Sequence, residues 1–191
     1  MLGNPFTRRS DPHVIAVGMT GVKMGDRAVF VGCTHGGRLA AVASKVGLSG
    51  RAVAIVPDSR AESLARKGAE QAGVLVEIEI APATKLPVED AGADLVVVDD
   101  TGGLIGLMPP TERRAAIREL ARVLRPAGRI IVVGNAPPSG LASMFARPPA
   151  APRFATSDEA KAELSANGFG MVRILAERNG LAFVEAIKPR T

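Results

Sequence analysis

The chain has 191 residues, 47% of them hydrophobic and 23% charged, which is enough for one globular domain and excludes an intrinsically disordered protein. The formal net charge is +5, but only 3% of the residues are aromatic and all six are phenylalanine, which argues against a base-stacking nucleic-acid surface. The single cysteine, Cys33, excludes an internal disulfide, and with two histidines we expect no metal site.

Short apolar segments of strand length alternate with helix-patterned segments through the first two-thirds of the chain. The predicted strands are Arg27–Val31, Ala52–Val56, Val74–Ile80, Asp94–Val98 and Arg129–Val133, and the predicted helices between them are Arg38–Val46, Ser59–Ala72 and Thr111–Leu124. Uninterrupted apolar runs are typical of parallel strands that are buried on both faces. The alternation therefore predicts strand–helix–strand units.

The last third of the chain has a different pattern. Residues 134–155 are rich in Pro, Ala and Arg and are interpreted as an irregular insert, and Asp158–Ala166 is predicted to be helical. Met171–Ala176 and Leu181–Ile187 are predicted to form a hairpin with an Asn-Gly turn. Together these elements predict an α/β three-layer sandwich with a mostly parallel, seven-stranded sheet and a C-terminal antiparallel hairpin. We expect one domain over residues 21–191 after a short N-terminal extension, 1–20.

The turn after the first strand, Gly32-Cys33-Thr34-His35-Gly36-Gly37, is a candidate ligand site. Doubly wound sheets bind ligands beyond the carboxyl ends of their strands, and glycines let the backbone approach a ligand closely. A tight strand-to-helix connection explains the same residues about as well. Cys33 is favoured as a small residue of this turn over a nucleophile activated by His35, because the sequence offers no third group to orient the histidine.

Two carboxylates, Asp99 and Asp100, follow the fourth predicted strand. They are candidate catalytic residues, either as a general base or as an acceptor that orients the substrate. A solvated turn before Gly102-Gly103 is the competing interpretation. Because neighbouring residues of a strand point in different directions, we do not expect the two carboxylates to share one proton.

Four segments, taken in order, resemble a known enzyme family. They are residues 24–37 (MGDRAVFVGCTHGG), 86–98 (LPVEDAGADLVVV), 118–130 (RELARVLRPAGRI) and 167–169 (NGF). From about Gly21 to Pro189 the chain resembles the class I S-adenosylmethionine-dependent methyltransferases, in particular the ubiquinone/menaquinone-biosynthesis methyltransferases. The resemblance implies a Rossmann-like methyltransferase fold, S-adenosylmethionine as the cofactor, and methyl transfer to an acceptor that these residues do not identify.

The same resemblance implies where the cofactor binds. The implied cofactor-binding residues are Gly32, Cys33, Thr34, His35, Gly36, Gly37, Asp58 and Ala83. Asp58 is expected to reach the ribose. The catalytic candidates Asp99 and Asp100 are then expected to face the acceptor.

The chain departs from the family where cofactor-binding acids are expected. The three acid positions are occupied by Phe30, Val56 and Pro82, and each lost charge-assisted hydrogen bond is expected to weaken binding by ~1.5–3 kcal/mol. Two interpretations follow: a methyltransferase, or a non-catalytic pseudo-methyltransferase that acts as a binding or assembly subunit. Thr34 replaces a family glycine, so a positive φ there would strain the turn, and Thr34→Gly would then strengthen cofactor binding.

The segment before the first strand is short for a substrate lid. Three alternatives follow: the substrate is large, a protein partner or a second copy of the chain covers the cleft, or nothing is methylated. We expect no nucleic-acid partner. No stretch approaches the ~20 apolar residues of a membrane span, and the first residues lack the apolar run of a signal peptide. The expected location is the cytoplasm.

Overall fold

The computed structural model describes residues 13–136 and 154–190. The strands are β1 (Arg27–Val31), β2 (Arg51–Val56), β3 (Glu77–Ile80), β4 (Ala93–Asp99), β5 (Leu124–Asn135), β6 (Gly170–Arg178) and β7 (Leu181–Ile187). The helices are α1 (Val14–Thr20), α2 (Gly36–Ala43), α3 (Ser59–Ala72), α4 (Pro110–Val123) and α5 (Asp158–Ala166), with a 3-10 turn at Phe154–Thr156. None of the helices in these residues is long and apolar enough to cross a membrane.

The seven strands form one sheet in the order β3-β2-β1-β4-β5-β7-β6. Strands β1 to β5 are parallel, whereas β7 runs antiparallel to both β5 and β6. This confirms the predicted fold class. The strand order reverses between β1 and β4, so the topological switch point, where such sheets bind ligands, lies between these two strands.

Each face of the sheet is covered by its own apolar layer. Residues of β4 alternate between the layers: Val96 and Val98 pack with α4 and α5, and Leu95 and Val97 pack with α2 and α3. The alternation follows from the two-residue period of a strand. It also fixes which way a side chain at the carboxyl end of β4 points.

Helix α1 was not expected from the sequence. Thr20 is fully buried, and the Arg129 guanidinium donates hydrogen bonds to the carbonyls of Thr20 at 3.3 Å and Gly21 at 2.8 Å. Residues 14–20 are therefore part of the packed domain. A seven-residue helix without a side-chain cap gives a weak sequence signal, because packing supplies most of its stability.

Several predicted boundaries shift at the sheet. Strand β5 begins at Leu124 and ends at Asn135, so it is much longer than the predicted Arg129–Val133. It therefore includes the first two residues of the predicted 134–155 insert, and the 3-10 turn begins at Phe154 near the end of that insert. Positions 137–153 of the insert lie outside the described residues.

Candidate functional site

A cleft of about 380 Å³ lies at the carboxyl ends of β1, β2 and β4. Such a volume is at the small end of the ~300–1,000 Å³ that small-molecule sites occupy. Of the predicted site residues, five line it: Gly32, Cys33, Thr34, Asp58 and Asp99. The remaining lining residues are Pro57, Arg60, Ala61, Leu64, Gly102 and Leu104.

Gly32 forms the floor of the cleft where β1 ends. Its φ is +82°, and a Cβ atom at this position would lie 2.7 Å from Cδ2 of Leu104 and 3.1 Å from the carbonyl oxygen of Asp99. A larger residue would be strained in this conformation and would also overlap the β4 loop. The close approach of β1 to the β4 loop therefore requires glycine.

Thr34 is not in the strained conformation that its place in the turn suggested. Among the described residues the positive-φ positions outside glycine are Ala91, Ala127, Met171 and Asn179, so Thr34 has an ordinary backbone. The condition under which Thr34→Gly was expected to strengthen cofactor binding, a positive φ at Thr34, is therefore not met.

Gly36 is needed for helix packing. A Cβ atom on Gly36 would lie 1.9 Å from the carbonyl oxygen of Leu64, and one on Gly68 would lie 2.3 Å from the carbonyl carbon of Gly36. The two glycines let α2 and α3 pack with their backbones in contact. Gly36 does not line the cleft.

His35 and Gly37 also lie outside the cleft. His35 Nδ1 accepts a hydrogen bond from the Arg38 amide at 3.3 Å and so caps α2. The His35 ring makes an edge contact with the His13 ring at 4.9 Å between centroids, and a Cβ on Gly37 would lie 3.0 Å from Nε2 of His13. These contacts join the start of α2 to the residue preceding α1.

Asp99 is the centre of a network that crosses the switch point, here called the switch-point clamp (Thr34, Arg38, Asp99 and Thr101). Its carboxylate accepts hydrogen bonds from the Thr34 amide and hydroxyl at 2.8 and 2.7 Å, and from the Thr101 amide and hydroxyl at 3.2 and 2.6 Å. The Arg38 guanidinium lies 2.8 Å from both carboxylate oxygens. Burial opposes ionisation of Asp99, but Arg38 and the Thr101 and Thr34 donors outweigh it and lower the pKa.

Asp100 points to the opposite side of the sheet from Asp99. One carboxylate oxygen accepts hydrogen bonds from the amides of Ile105 at 2.7 Å and Gly106 at 3.0 Å, and the other oxygen is buried without a partner. Burial raises the pKa of Asp100, despite these two amide hydrogen bonds. It does not line the cleft, and it is not in a solvated turn, since only 1% of it is exposed.

The geometry does not support a base role for either carboxylate. Both carboxylate oxygens of Asp99 already accept hydrogen bonds, from Thr34, Arg38 and Thr101, and Asp100 is buried away from the cleft. Asp99 does line the cleft and Asp100 does not, and the expectation that one of them faces the acceptor stays a prediction. The adjacent acids do point different ways, as the strand period predicts.

Asp58 is an acid whose carboxylate remains available in the cleft. It caps α3, because its Oδ1 accepts a hydrogen bond from the Ala61 amide at 2.8 Å. No hydrogen bond occupies Oδ2 in the described residues, and Asp58 is exposed. Arg60, also exposed, lines the same side of the cleft.

The residues at the family's acid positions do not replace a carboxylate. Phe30 and Val56 are buried in the apolar layer against α2 and α3, and Pro82 is exposed. Ala83 is buried in the opposite layer and does not line the cleft. Cys33 is buried, and this burial raises its pKa to about 11, which favours the small-residue interpretation over a nucleophile.

Arg38 and Thr101 were missed by the sequence analysis. Arg38 is an ordinary basic residue in the first turn of a helix, and Thr101 follows two acids in a loop. Only the adjacency of β1 and β4 in the sheet shows that they meet. In residues 13–136 and 154–190 no three His, Cys, Asp or Glu side chains come together as a metal site.

Comparison with known proteins identifies the family. The methyltransferase domain family matches residues 29–128, which is more than half of the chain. The ubiquinone/menaquinone biosynthesis C-methyltransferase of Chromobacterium violaceum is 30% identical over 114 residues, which cover 60% of this chain and 45% of that protein. The matched part of the chain covers between 30% and 56% of the length of the curated relatives.

Solved structures agree on the fold. A SAM-dependent methyltransferase from Aquifex aeolicus superposes with a TM-score of 0.70 at 19% sequence identity. The superposition covers 96% of this chain and 93% of the methyltransferase chain. The [4+2]-cyclase SpnF superposes with a TM-score of 0.71 at 20% sequence identity. The superposition covers 93% of this chain and 79% of the SpnF chain. The chain therefore belongs to the methyltransferase domain family and is a member of the class I S-adenosylmethionine-dependent methyltransferase superfamily.

Proposed function

We propose that this chain binds S-adenosylmethionine in the cleft and transfers its methyl group to an acceptor that enters at the same end of the sheet. The observation that carries the proposal is Asp58, whose free carboxylate oxygen faces the cleft at the end of β2. A carboxylate is the acceptor that a ribose diol binds best, because its hydrogen bonds are charge-assisted. Asp58 would then take the place of the acid that Val56 lacks.

The residues of the cleft fit the nucleoside end of this cofactor. Gly32 lets the ligand approach the backbone, Asp58 accepts from the ribose hydroxyls, and Leu64 and Leu104 offer apolar surface. The bound cofactor supplies a methyl group activated by its sulfonium. The chain supplies binding and orientation, which can account for a large part of the rate of a bimolecular transfer.

The state of the two β4 acids limits the class of acceptor. Asp99 is saturated by donors and Asp100 is buried away from the cleft, so neither takes a proton from the acceptor. We therefore infer an acceptor that is already a nucleophile near neutral pH, such as a stabilised carbanion, an enolate or an unprotonated amine. A protein partner or a second copy over the cleft remains a prediction.

A second candidate function is a non-catalytic binding or assembly subunit. It is favoured by the burial of Phe30 and Val56, since no acid reaches the cleft from these two positions. A methyltransferase fold does not by itself confer the activity. The two candidates differ in whether the isolated chain binds the cofactor.

Calorimetric titration of the wild-type chain and the Asp58→Asn variant with S-adenosylmethionine tests the proposal. Asparagine caps a helix as well as aspartate does, so the melting temperature is expected to stay unchanged. Losing charge-assisted bonds worth ~1.5–3 kcal/mol predicts about tenfold to hundredfold weaker binding. Equal affinities would exclude Asp58 as the ribose acceptor, and a wild-type chain that fails to bind at millimolar ligand would favour the non-catalytic subunit.

A further inference from the structure

The loop that follows β4, residues 100–108, is folded around the carboxyl group of Asp100. One oxygen of this group, Oδ1, accepts hydrogen bonds from the amides of Ile105 at 2.7 Å and Gly106 at 3.0 Å. The Gly103 amide donates to the Asp100 carbonyl at 2.8 Å, which closes the first turn of the loop. Because one side chain binds amides that lie further along the chain, the conformation of this loop depends on the state of Asp100.

The other oxygen of the same group is buried without a partner. Asp100 is 1% exposed, and no hydrogen bond reaches its Oδ2 from the residues that the structure describes. An ionised carboxylate costs far more to bury in this way than a protonated carboxyl group does. The packing around Asp100 in the closed loop therefore favours the neutral group.

The charges around Asp100 do not offset this burial. Burial raises the pKa of Asp100 against the two amide hydrogen bonds, and the negative charge of Asp99 adds to the increase. Arg113 of α4 acts in the opposite direction, but its guanidinium is paired with two acids of α5, Glu159 and Glu163. The closed loop therefore keeps the proton of Asp100 to a higher pH than an exposed aspartate does.

The same loop forms one wall of the cleft. Gly102 and Leu104 line the cleft, and Leu104 lies over Gly32, with its Cδ2 2.7 Å from the position of an added Cβ atom. The next residue, Ile105, is buried in the apolar layer against α4. Three of the nine loop residues are glycine, which lets the backbone adopt other conformations. A loop released from Asp100 would therefore carry Leu104 away from the cleft.

We propose that Asp100 is a proton-dependent switch: its protonated carboxyl group holds the loop closed, with Leu104 as a wall of the cleft, and loss of the proton to water releases the loop. The effect on ligand affinity rests on the proposed adenosyl site, whereas the loop movement does not. A group with a raised pKa contributes its full stability below its ordinary range, about pH 4 for an aspartate, and loses it as the pH rises through the raised value. The closed loop is therefore favoured at acidic pH and the open loop at higher pH.

Amide hydrogen exchange of the full chain, followed by NMR between about pH 4 and about pH 8, measures the release of the loop. We expect the protection factors of the Ile105 and Gly106 amides, each taken relative to an unstructured amide at the same pH, to fall several-fold as the pH rises. The carboxyl carbon-13 resonance of Asp100 reports its proton directly, and the fall should have the same midpoint. Amides in the middle of β1 are the internal reference and should change much less.

Asp100→Asn is the matched variant, since asparagine keeps an acceptor oxygen for the two loop amides and cannot ionise. The protection factors of these amides are expected to stay constant with pH in this variant. Asp94→Asn is the control, because it removes another acid of β4, which pairs with Arg27 and Arg125 and does not line the cleft. It should keep the pH dependence of the wild type. Should Asp100→Asn fail to fold, the two midpoints in the wild type carry the test.

Calorimetric titration with S-adenosylhomocysteine at about pH 5 and about pH 8 tests the link to the cleft. We expect the wild type to bind several-fold more weakly at the higher pH, because the open loop removes the Leu104 wall. Asp100→Asn should show no such loss. Since both proteins are titrated with the same ligand, the variant also accounts for ionisation of the ligand and of other groups of the chain.

The outcomes separate this inference from the proposed function. Loop protection that stays constant while Asp100 titrates, or an equal change in Asp100→Asn, overturns the inference. A loop that responds while the affinity does not overturns the link to the cleft. Absence of binding at both pH values, with the loop still responding, overturns the adenosyl site and leaves the loop switch standing.

Discussion

Substituting Gly32 tests whether the floor of the cleft depends on the close approach of β1 to the β4 loop. In Gly32→Ala the alanine must adopt the positive φ of this position, which costs about 1–2 kcal/mol for a residue with a Cβ atom. It also lies 2.7 Å from Leu104 Cδ2 and 3.1 Å from the Asp99 carbonyl, and overpacking of this kind costs about 1–3 kcal/mol. We therefore expect a loss of about 2–5 kcal/mol in the free energy of unfolding.

Gly25→Ala is the matched control for this substitution. Gly25 has nearly the same φ, +87°, but its nearest neighbour to an added Cβ is Ser49 Oγ at 3.7 Å, an ordinary contact. It should therefore lose only the conformational part, about 1–2 kcal/mol. Urea unfolding of both variants measures the difference. Equal losses would refute the argument that Gly32 is required by the β4 loop.

Three further changes test the packing and the charges. Gly68→Ala should destabilise the chain by about 1–3 kcal/mol, since its methyl group would overlap the α2 backbone. Gly18→Ala is the control, because its methyl group would point into open space and should be neutral or stabilising. Urea unfolding compares the two variants. Asp100→Asn should increase the free energy of unfolding at pH 7. Because burial raises the pKa of Asp100, the wild type keeps the full contribution of this group to stability below about pH 4 and loses it as the carboxyl ionises at higher pH. Unfolding at pH 4 and at pH 7 should therefore show a gain for the variant only at pH 7. Arg113→Met should cost about 1–3 kcal/mol, because the partly buried Glu163 carboxylate loses its charged hydrogen-bond partner, and a melting temperature equal to the wild type would contradict this.

The sheet and most helices could be predicted from local pattern. Helix α3 is the clearest example, since the predicted range Ser59–Ala72 is also the observed one, and the structure shows Asp58 and Gly73 as its caps. The long apolar runs identify β2 and β4 because both strands are buried on both faces. Helix α1 could not be predicted, because its stability comes from contacts with distant residues such as Arg129.

The candidate site could be predicted only in part. Its loops follow from the fold, and the first three residues of the turn, Gly32, Cys33 and Thr34, line the cleft together with the acid Asp58. The roles of Asp99 and Asp100 could not be assigned from sequence, because they depend on which face of β4 each side chain occupies. Arg38 reaches Asp99 across 61 positions of the chain, a pairing that only the placement of β1 beside β4 creates.

The central claim is that the cleft between β1, β2 and β4 is an adenosyl-ligand site, and a titration followed by amide NMR of the full chain tests it most directly. With 5′-methylthioadenosine and S-adenosylhomocysteine, we expect shifts concentrated at residues 32–34 and 58–64, with the aspartate-capped start of α3 among the most affected. A groove of about 510 Å³ at the amino ends of β2 and β3, lined by Leu48 and Leu75, is the internal control and should not respond. Shifts confined to that groove, or none at millimolar ligand, would contradict the account.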